Sequence, residues 1–524
     1  MSYDSASPVD IDWVFSGWYV DNTPETTLND KFSPYSRNVR LDWKATTERP
    51  WHSLLSTLTA WDYPRWIWSY LRTVPANSRI IVRHNTDATH KLYTIEEDWT
   101  ATSITTAANI ASDNRMSFLN VWDDIYCMNG SDDYWKLAWT TYTTPSTWLA
   151  NFAPAFAVSF NGSAFASWWT ADDPKKVYKS VWDDYEDFNS AWSDSFTFEE
   201  TVTWLAKNNQ ALFYFTKNTI SVTWISDIQD IWGSINYTTR GLTVKEWSIN
   251  HASLITAWNN IYAVTPSNKI IQIARWANID WFEIIELSER KYAWISKIMN
   301  TLDLDQSDCF GYYLPKANLI KWFFKTKNAT FNDICIIYDI TKDAFLVDNN
   351  KPFYGWVDFK GKNYTISMLE PKVYIDEYWS DDEDMAIQSR YETKYFDLQI
   401  PTRKKELWES RTYTAINTLA QLKQEIVIDW WTIDSKTIDS DNVPITSWGM
   451  GTQPVWTYAI WTEWFTWEDT MYNVDLIRTK GDLQKKGKKI KFIYTQSALG
   501  WRFRLEWLEM LVEVLPPEAN NLTV

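Results

Sequence analysis

Short apolar runs broken by pairs or triplets of polar residues set the pattern of this chain. Gln210 to Thr216 and Thr219 to Thr223 flank Lys217-Asn218, and two β-rich segments joined by two polar residues predict a tight antiparallel hairpin. The same unit recurs at Met116 to Val121, Trp122-Asp123-Asp124 and Ile125 to Met128, and again at Ser253 to Ala257, Trp258-Asn259-Asn260 and Ile261 to Val264. Further strands are predicted over 79–83, 91–95, 155–160, 175–179, 282–287, 319–325, 334–340, 354–359, 364–369 and 372–375. Their turns carry Asn, Asp, Pro or Lys-Asn, and no long helical period appears. Phe213 and Tyr262 stand one blade-length apart, near the ~40–50 residues of a four-stranded propeller blade, and the interval from Tyr126 to Phe213 has room for two. The pattern predicts an all-β chain whose residues 51–385 form a β-propeller of six or seven blades. A stacked series of β-sandwiches is the competing architecture.

The flanks read differently. Residues 1–50 have few local hairpin pairs and predict an extended N-terminal arm. Residues 386–515 alternate as half-buried strands, at 390–398, 410–417, 424–429, 472–478, 488–495 and 502–513, and predict a separate C-terminal antiparallel β-sandwich. Ser380-Asp-Asp-Glu-Asp384 lacks the spacing of a calcium loop and reads as a solvated linker; residues 516–524 read as a frayed tail.

Composition changes the picture at one point. In 524 residues there are 37 tryptophans and only 13 glycines, whereas ordinary glycine usage of about 7% would give roughly 37. Position follows the same exchange. Trp122 and Trp258 sit at strand-to-strand corners, where left-handed dihedrals are needed and glycine is cheapest. Trp18, Trp51, Trp232, Trp168-Trp169 and Trp430-Trp431 also neighbour turn residues. The reading is a reassigned opal codon: UGA means glycine at the source and was translated as tryptophan. A real Trp-rich binding surface is the alternative, and burial of most of these rings would count against reassignment. Trp322, inside Ile320-Lys-Trp-Phe-Phe324, has strand neighbours and reads as a true tryptophan.

The net charge of −17 disfavours free nucleic acid or anionic membrane on electrostatics alone, though an acidic wall suits a conduit from which DNA must not stick. Cys127, Cys309 and Cys335 lie far apart without CxxC spacing, which argues against zinc or a disulfide framework and leaves room for one pair. The start, Met1-Ser-Tyr-Asp-Ser-Ala-Ser, has no basic or apolar leader region, so no signal peptide is expected. No apolar run approaches ~18 residues, so no membrane span is expected. Of the histidines, His52, His84, His90 and His251, none has cysteine or paired carboxylates at ligand spacing. No nucleophile elbow, P-loop, dinucleotide fingerprint or sialidase-type box is found, even with Trp read as Gly. No catalytic, cofactor-binding or metal residue is therefore expected. Lys485, Lys486, Lys488, Lys489 and Lys491 form the one basic concentration; a solvated hairpin tip is the first reading, contact with phosphate or an acidic neighbour the second.

Three segments carry a family resemblance. Ser33-Pro-Tyr-Ser-Arg-Asn-Val-Arg-Leu-Asp42 with Arg49-Pro50 resembles the N-terminus of tailed-phage virion proteins of the β-propeller tail-hub, nozzle or DNA-stabilisation type. Val177-Tyr-Lys-Ser-Val-Trp-Asp-Asp-Tyr-Glu-Asp-Phe-Asn189 resembles their recurrent Val-Tyr-x-Ser-x-x-Gly-Asp-Pro-Glu-Asn-Phe element, with Asp183 at the glycine and Tyr185 at the proline. Gly500-Trp-Arg-Phe-Arg-Leu-Glu-Trp-Leu-Glu-Met-Leu-Val-Glu513 resembles their last strand. The resemblance implies a non-enzymatic virion protein, assembled in the host cytoplasm, whose copies form a ring, by implication a homohexamer. That ring would meet portal or adaptor and distal tail proteins, and would retain and then conduct genomic DNA without binding its sequence. Some uncultivated bacteria and their phages use the code proposed above. The alternative is a carbohydrate-binding or glycoside-cleaving propeller at a cell surface, with aromatics and carboxylates converging on one propeller mouth. A kelch-like or WD-like scaffold is weaker, since strict blade signatures are missing.

Overall fold

The computed structural model describes residues 7–11, 35–37, 39–41, 46–48, 53–58, 63–73, 78–86, 89–95, 101–104, 116–131, 135–138, 141–143, 153–167, 174–190, 193–228, 235–242, 248–275, 282–288, 293–304, 309–349, 351–376, 388–393, 395–396, 404–416, 421–429, 431–439, 472–480, 486–496 and 503–514. They fall into two compact units: Leu54–Asp343 with Asn349–Asp376, and Met1–Ser53 with Ala344–Asp348 and Glu377–Val524.

Among the described residues, seven four-stranded antiparallel sheets follow one another along the chain. Sheet one is Tyr63–Tyr70, Arg79–Thr86, Thr89–Ile95 and Ala101–Ile104; sheet two is Ser117–Val121, Asp124–Met128, Trp135–Ala138 and Thr141–Thr143. Sheet three is Phe156–Phe160, Ser163–Ser167, Lys176–Lys179 and Asp194–Thr197; sheet four is Val202–Lys207, Ala211–Thr216, Ile220–Ile228 and Ile235–Leu242. Sheet five is Ile255–Ala257, Asn260–Thr265, Lys269–Arg275 and Phe282–Glu286; sheet six is Phe310–Leu314, Leu319–Phe324, Ile334–Asp339 and Ala344–Asn349. Sheet seven, Phe353–Phe359, Lys362–Ser367 and Lys372–Asp376, takes its fourth strand, Ser53–Thr57, from before sheet one.

The first strand of each sheet lies beside the first strand of the next, from sheet two round to sheet seven and on to sheet one. Between sheets one and two, Trp68 and Phe118 stack at 5.2 Å. A ring of consecutive meanders, one of them completed by a strand from the start of the series, is a β-propeller. Such closure leaves only short outer edges for unwanted pairing. Two of the second strands are covered on both faces: every residue of Ala211–Thr216 and of Leu319–Phe324 is buried. Continuous apolar runs of this length mark fully buried strands. Neighbouring sheets share their cores: Ile67, Ile125 and Ile366 join sheets one, two and seven, and Phe213 and Ile261 join sheets four and five. A seven-residue helix, Ala293–Met299, lies between sheets five and six.

The other unit holds two antiparallel sheets. One orders Tyr35–Arg37, Ser389–Glu392, Ile490–Gln496, Gln421–Ile428 and Trp431–Asp439. The other orders Val39–Leu41, Thr46–Glu48, Phe503–Val514, Lys405–Ile416 and Tyr472–Lys480; in it Ser7–Ile11 also pairs with Phe503–Val514, and Lys486–Gly487 with Lys405–Ile416. The described residues of the expected arm over 1–50 form short strands that join these sheets. The hairpin of Val39–Leu41 and Thr46–Glu48 would leave an open edge of backbone groups, and Phe503–Val514 satisfies it, with Thr46 opposite Leu505 and Thr47 opposite Arg504. The predicted linker 380–384 and tail 516–524 lie outside the described residues.

Candidate functional site

The first strands of six sheets and the turn leading into sheet five line a cavity of about 650 Å³, within the ~300–1,000 Å³ of small-ligand pockets. They contribute Trp66 and Trp68, Phe118, Phe156, Trp204, His251 from that turn, Phe310, and Gly355 with Trp356. His251 lies 5.4 Å from Phe156 and 6.1 Å from Trp204, ring to ring. Its turn is built by Asn250, whose Oδ1 accepts from the Ser253 amide at 2.7 Å and whose Nδ2 donates to the Cys309 carbonyl at 2.7 Å. Trp204 Nε1 donates to the Ser248 carbonyl at 3.0 Å, while the Nε1 atoms of Trp68 and Trp356 are buried without a hydrogen-bond partner. The described lining offers Ser117, Asn250 and His251 as polar side chains and includes no carboxylate, lysine or arginine. Such a wall can stack on a neutral ring or an apolar surface and donate from its indoles.

A buried ion cluster ties sheet six to sheet seven. Asp376, at the end of Lys372–Asp376, receives Lys321 Nζ at 2.9 Å, Lys351 Nζ at 2.6 Å and the Tyr312 hydroxyl at 2.8 Å. Burial pushes this carboxyl up, but the two ammonium groups outweigh it and hold it well below the usual carboxylate range. Tyr312 in turn stacks on Trp356 with ring centres 3.9 Å apart, so the cluster braces the cavity wall.

The segment 177–189 is a structured clasp. Asp183, at the glycine position of the resembled element, has φ +61°, the left-handed region that aspartate tolerates better than most residues. Its amide donates to the Gly162 carbonyl at 2.7 Å. Asp184 and Asp187 each accept amides two and three residues on, through Oδ1. Phe188 is buried against sheet two, with Tyr185 packed beside the same cluster. Glu186 accepts from Tyr126 Oη at 3.0 Å and from Lys136 Nζ at 2.7 Å, both on sheet two. Burial first, then the Glu186 charge, pushes the Tyr126 hydroxyl up. Of the acids in this stretch, Glu186 reaches the neighbouring sheet, while Asp184 and Asp187 hold their own loop.

The corners between first and second strands form a further recurrent feature. Two-residue loops occur at Trp122-Asp123, Asn161-Gly162, Trp258-Asn259 and Lys360-Gly361. In three of them the second residue's carbonyl accepts a bond from the preceding sheet: Tyr70 Oη to Asp123 at 2.6 Å, Asn208 Nδ2 to Asn259 at 2.9 Å, and Lys316 Nζ to Gly361 at 2.6 Å.

No protein-family model matches the sequence, and no curated protein matches it. Solved structures similar in fold include BamB from Moraxella catarrhalis, 10% identical over 71% of this chain and 97% of that one, with a TM-score of 0.39. The Cps50 (Swd1) β-propeller domain of Myceliophteria thermophila is 6% identical over 62% of this chain and 99% of its own, also at 0.39. Virginiamycin B lyase from Staphylococcus aureus is 10% identical over 62% and 98% respectively, at 0.39. At this distance they carry no argument about function.

The residues singled out from sequence disperse. His84 faces Lys91, and His90 faces Asn85, across the hairpin of sheet one; His251 reaches the central cavity, and His52 lies outside the described residues. No group of three or more potential metal-ligating His, Cys, Asp or Glu occurs among the described residues. Cys127, Cys309 and Cys335 are buried and unbridged. The solvated reading of the lysine concentration is corrected at Lys491, which is buried, pairs with Glu392 at 2.6 Å and lies over the Tyr395 ring. The Lys488 and Lys489 amides donate to the Asp429 carboxylate; Lys485 lies outside the described residues. Ten tryptophans have described surroundings: Trp122, Trp182 and Trp258 are exposed, and the other seven are buried or half-buried. Displaced glycine is thus a reading for corners, not for the interior.

Proposed function

We propose that this chain is a non-enzymatic structural protein of a tailed-phage virion. In this reading it is a tail-hub or nozzle subunit whose copies form a ring that retains genomic DNA and later conducts it. One observation carries the reading. The N-terminal and C-terminal segments that resemble such proteins lie far apart in sequence, yet share one sheet: Val39–Leu41 pairs with Thr46–Glu48, whose Thr46 and Thr47 stand opposite Leu505 and Arg504. The third, Val177 to Asn189, supplies the Glu186 contact between sheets two and three. Chance likeness in three short stretches has no reason to select the segments that join the chain's ends and brace its propeller. A propeller with short protected edges is a stiff block, and head-to-tail contacts that close by rotation make a ring of such blocks. Electron microscopy of the purified protein and of particles from its source tests this. Closed rings, and the chain in virions, are expected; a persistent monomer absent from virions would overturn the reading.

A carbohydrate-binding propeller is the second reading, favoured by the aromatic wall of the central cavity. It predicts saturable glycan binding by the monomer that is lost on Trp356→Ala.

A further inference from the structure

We infer that positions 122 and 258 carry glycine in the protein as its own source makes it, while Trp204 and Trp322 are tryptophan there as here. The virion reading plays no part in this. At the Asn161-Gly162 and Lys360-Gly361 corners both loop residues are left-handed, with φ of +49° and +75°, and of +50° and +73°. At the other two corners only the first residue is: Trp122 at +52° and Trp258 at +55°. A two-residue hairpin loop with positive φ at its first position alone has the pattern of a type II′ turn, which takes glycine at that place. A bulky residue at positive φ is an outlier.

The loops cannot relax by changing shape. The strands on both sides are paired up to the corner, Val121 with Asp124 and Ala257 with Asn260. The Asp123 and Asn259 carbonyls are engaged from the preceding sheets. Asp123 is further fixed by the Thr73 amide at 2.6 Å on its Oδ1. Packing covers little of either indole, for Trp122 is 74% and Trp258 66% exposed; Trp258 keeps one polar contact, with the Tyr313 side chain. Trp322 is the opposite case: fully buried, with Nε1 donating to the Ser253 carbonyl at 3.1 Å. Trp204 likewise spends its donor on Ser248 and packs on Phe156 at 5.5 Å. One sequence therefore holds indoles that the backbone excludes and indoles that the core requires. Two codons read as one amino acid account for both, with UGA meaning glycine at the source and UGG meaning tryptophan.

The test reads the gene and the native protein together. UGA is expected at codons 122 and 258 and UGG at 204 and 322. Peptide mass spectra of protein from its source are expected to show glycine at 122 and 258. UGG at either corner, an indole in either native peptide, or UGA at 204 or 322 would overturn the assignment. None of these results depends on a variant folding.

Discussion

Replacing Trp122 and Trp258 by glycine is expected to stabilise the chain, and the size of the effect follows from three contributions. The left-handed conformation costs an L-residue about 1–2 kcal/mol, and glycine removes that cost. Against it stands the extra freedom glycine gains on unfolding, roughly 0.4–1 kcal/mol. The indole's own burial contributes almost nothing. Realistic unfolded chains already hide about 10–40% of their surface, and exposures of 74% and 66% mean that the fold hides about as much. The balance is a gain of about 0.5–1 kcal/mol per site. The sites are on different sheets and the contacts given for them share no partner, so the double variant should approach the sum. Urea unfolding of wild type, Trp122→Gly, Trp258→Gly and the matching alanine variants separates the causes. Glycine should raise the midpoint at unchanged slope. Alanine, which keeps a Cβ at positive φ, should not. Equal behaviour of glycine and alanine at both corners would refute the strain argument.

Three further outcomes are expected. Trp322→Ala should lose about 3–5 kcal/mol, as large-to-small changes in closed cores do, with the Ser253 carbonyl left short of its donor; a loss under 1 kcal/mol in urea unfolding would contradict the burial. Asp376→Asn should cost about 3–5 kcal/mol at neutral pH because it strands two buried ammonium groups. The folded-state carboxyl is depressed, so its contribution is present above the unfolded value near ~3.9 and is lost as pH falls below it. Acid titration of stability should accordingly be shallower in the variant below pH ~4. Glu186→Ala should loosen sheet two from sheet three by about 1.5 kcal/mol, the lower end for hydrogen bonds to charged groups, since Lys136 keeps Asp124 at 2.8 Å. Hydrogen exchange should report this as faster exchange confined to those two sheets.

The propeller was legible where its signal is local. Lys217-Asn218 does join two strands, and Tyr126, Phe213 and Tyr262 do stand on the second strands of sheets two, four and five. The interval with room for two units therefore holds sheet three between its ends. Ala211–Thr216 and Leu319–Phe324 are readable because burial throughout goes with a near-continuous apolar run. Outer strands are not: Asp194–Thr197 is mostly exposed, and Thr141–Thr143 is a run of Thr-Tyr-Thr that any loop could carry. Pairings across the chain were equally silent. Ser53–Thr57 completes a sheet whose other strands begin 300 residues later, and no local periodicity records a partner that distant.

The central cavity was illegible for a related reason, since each sheet lends it only a few side chains and no spacing links them. His251 illustrates this: its neighbours Phe156 and Trp204 belong to sheets three and four. The tryptophan excess also concealed it, because a composition argument treats every indole alike. Backbone angle and burial divide them. Where φ is left-handed and the ring meets water, the side chain contributes little to the core. Where an indole donates to a carbonyl inside a closed core, its shape and its N–H are both needed. The same residue type thus gives opposite signs of stability at Trp122 and Trp322, and that difference in sign, measured in one protein, separates a translation artefact from a built aromatic core.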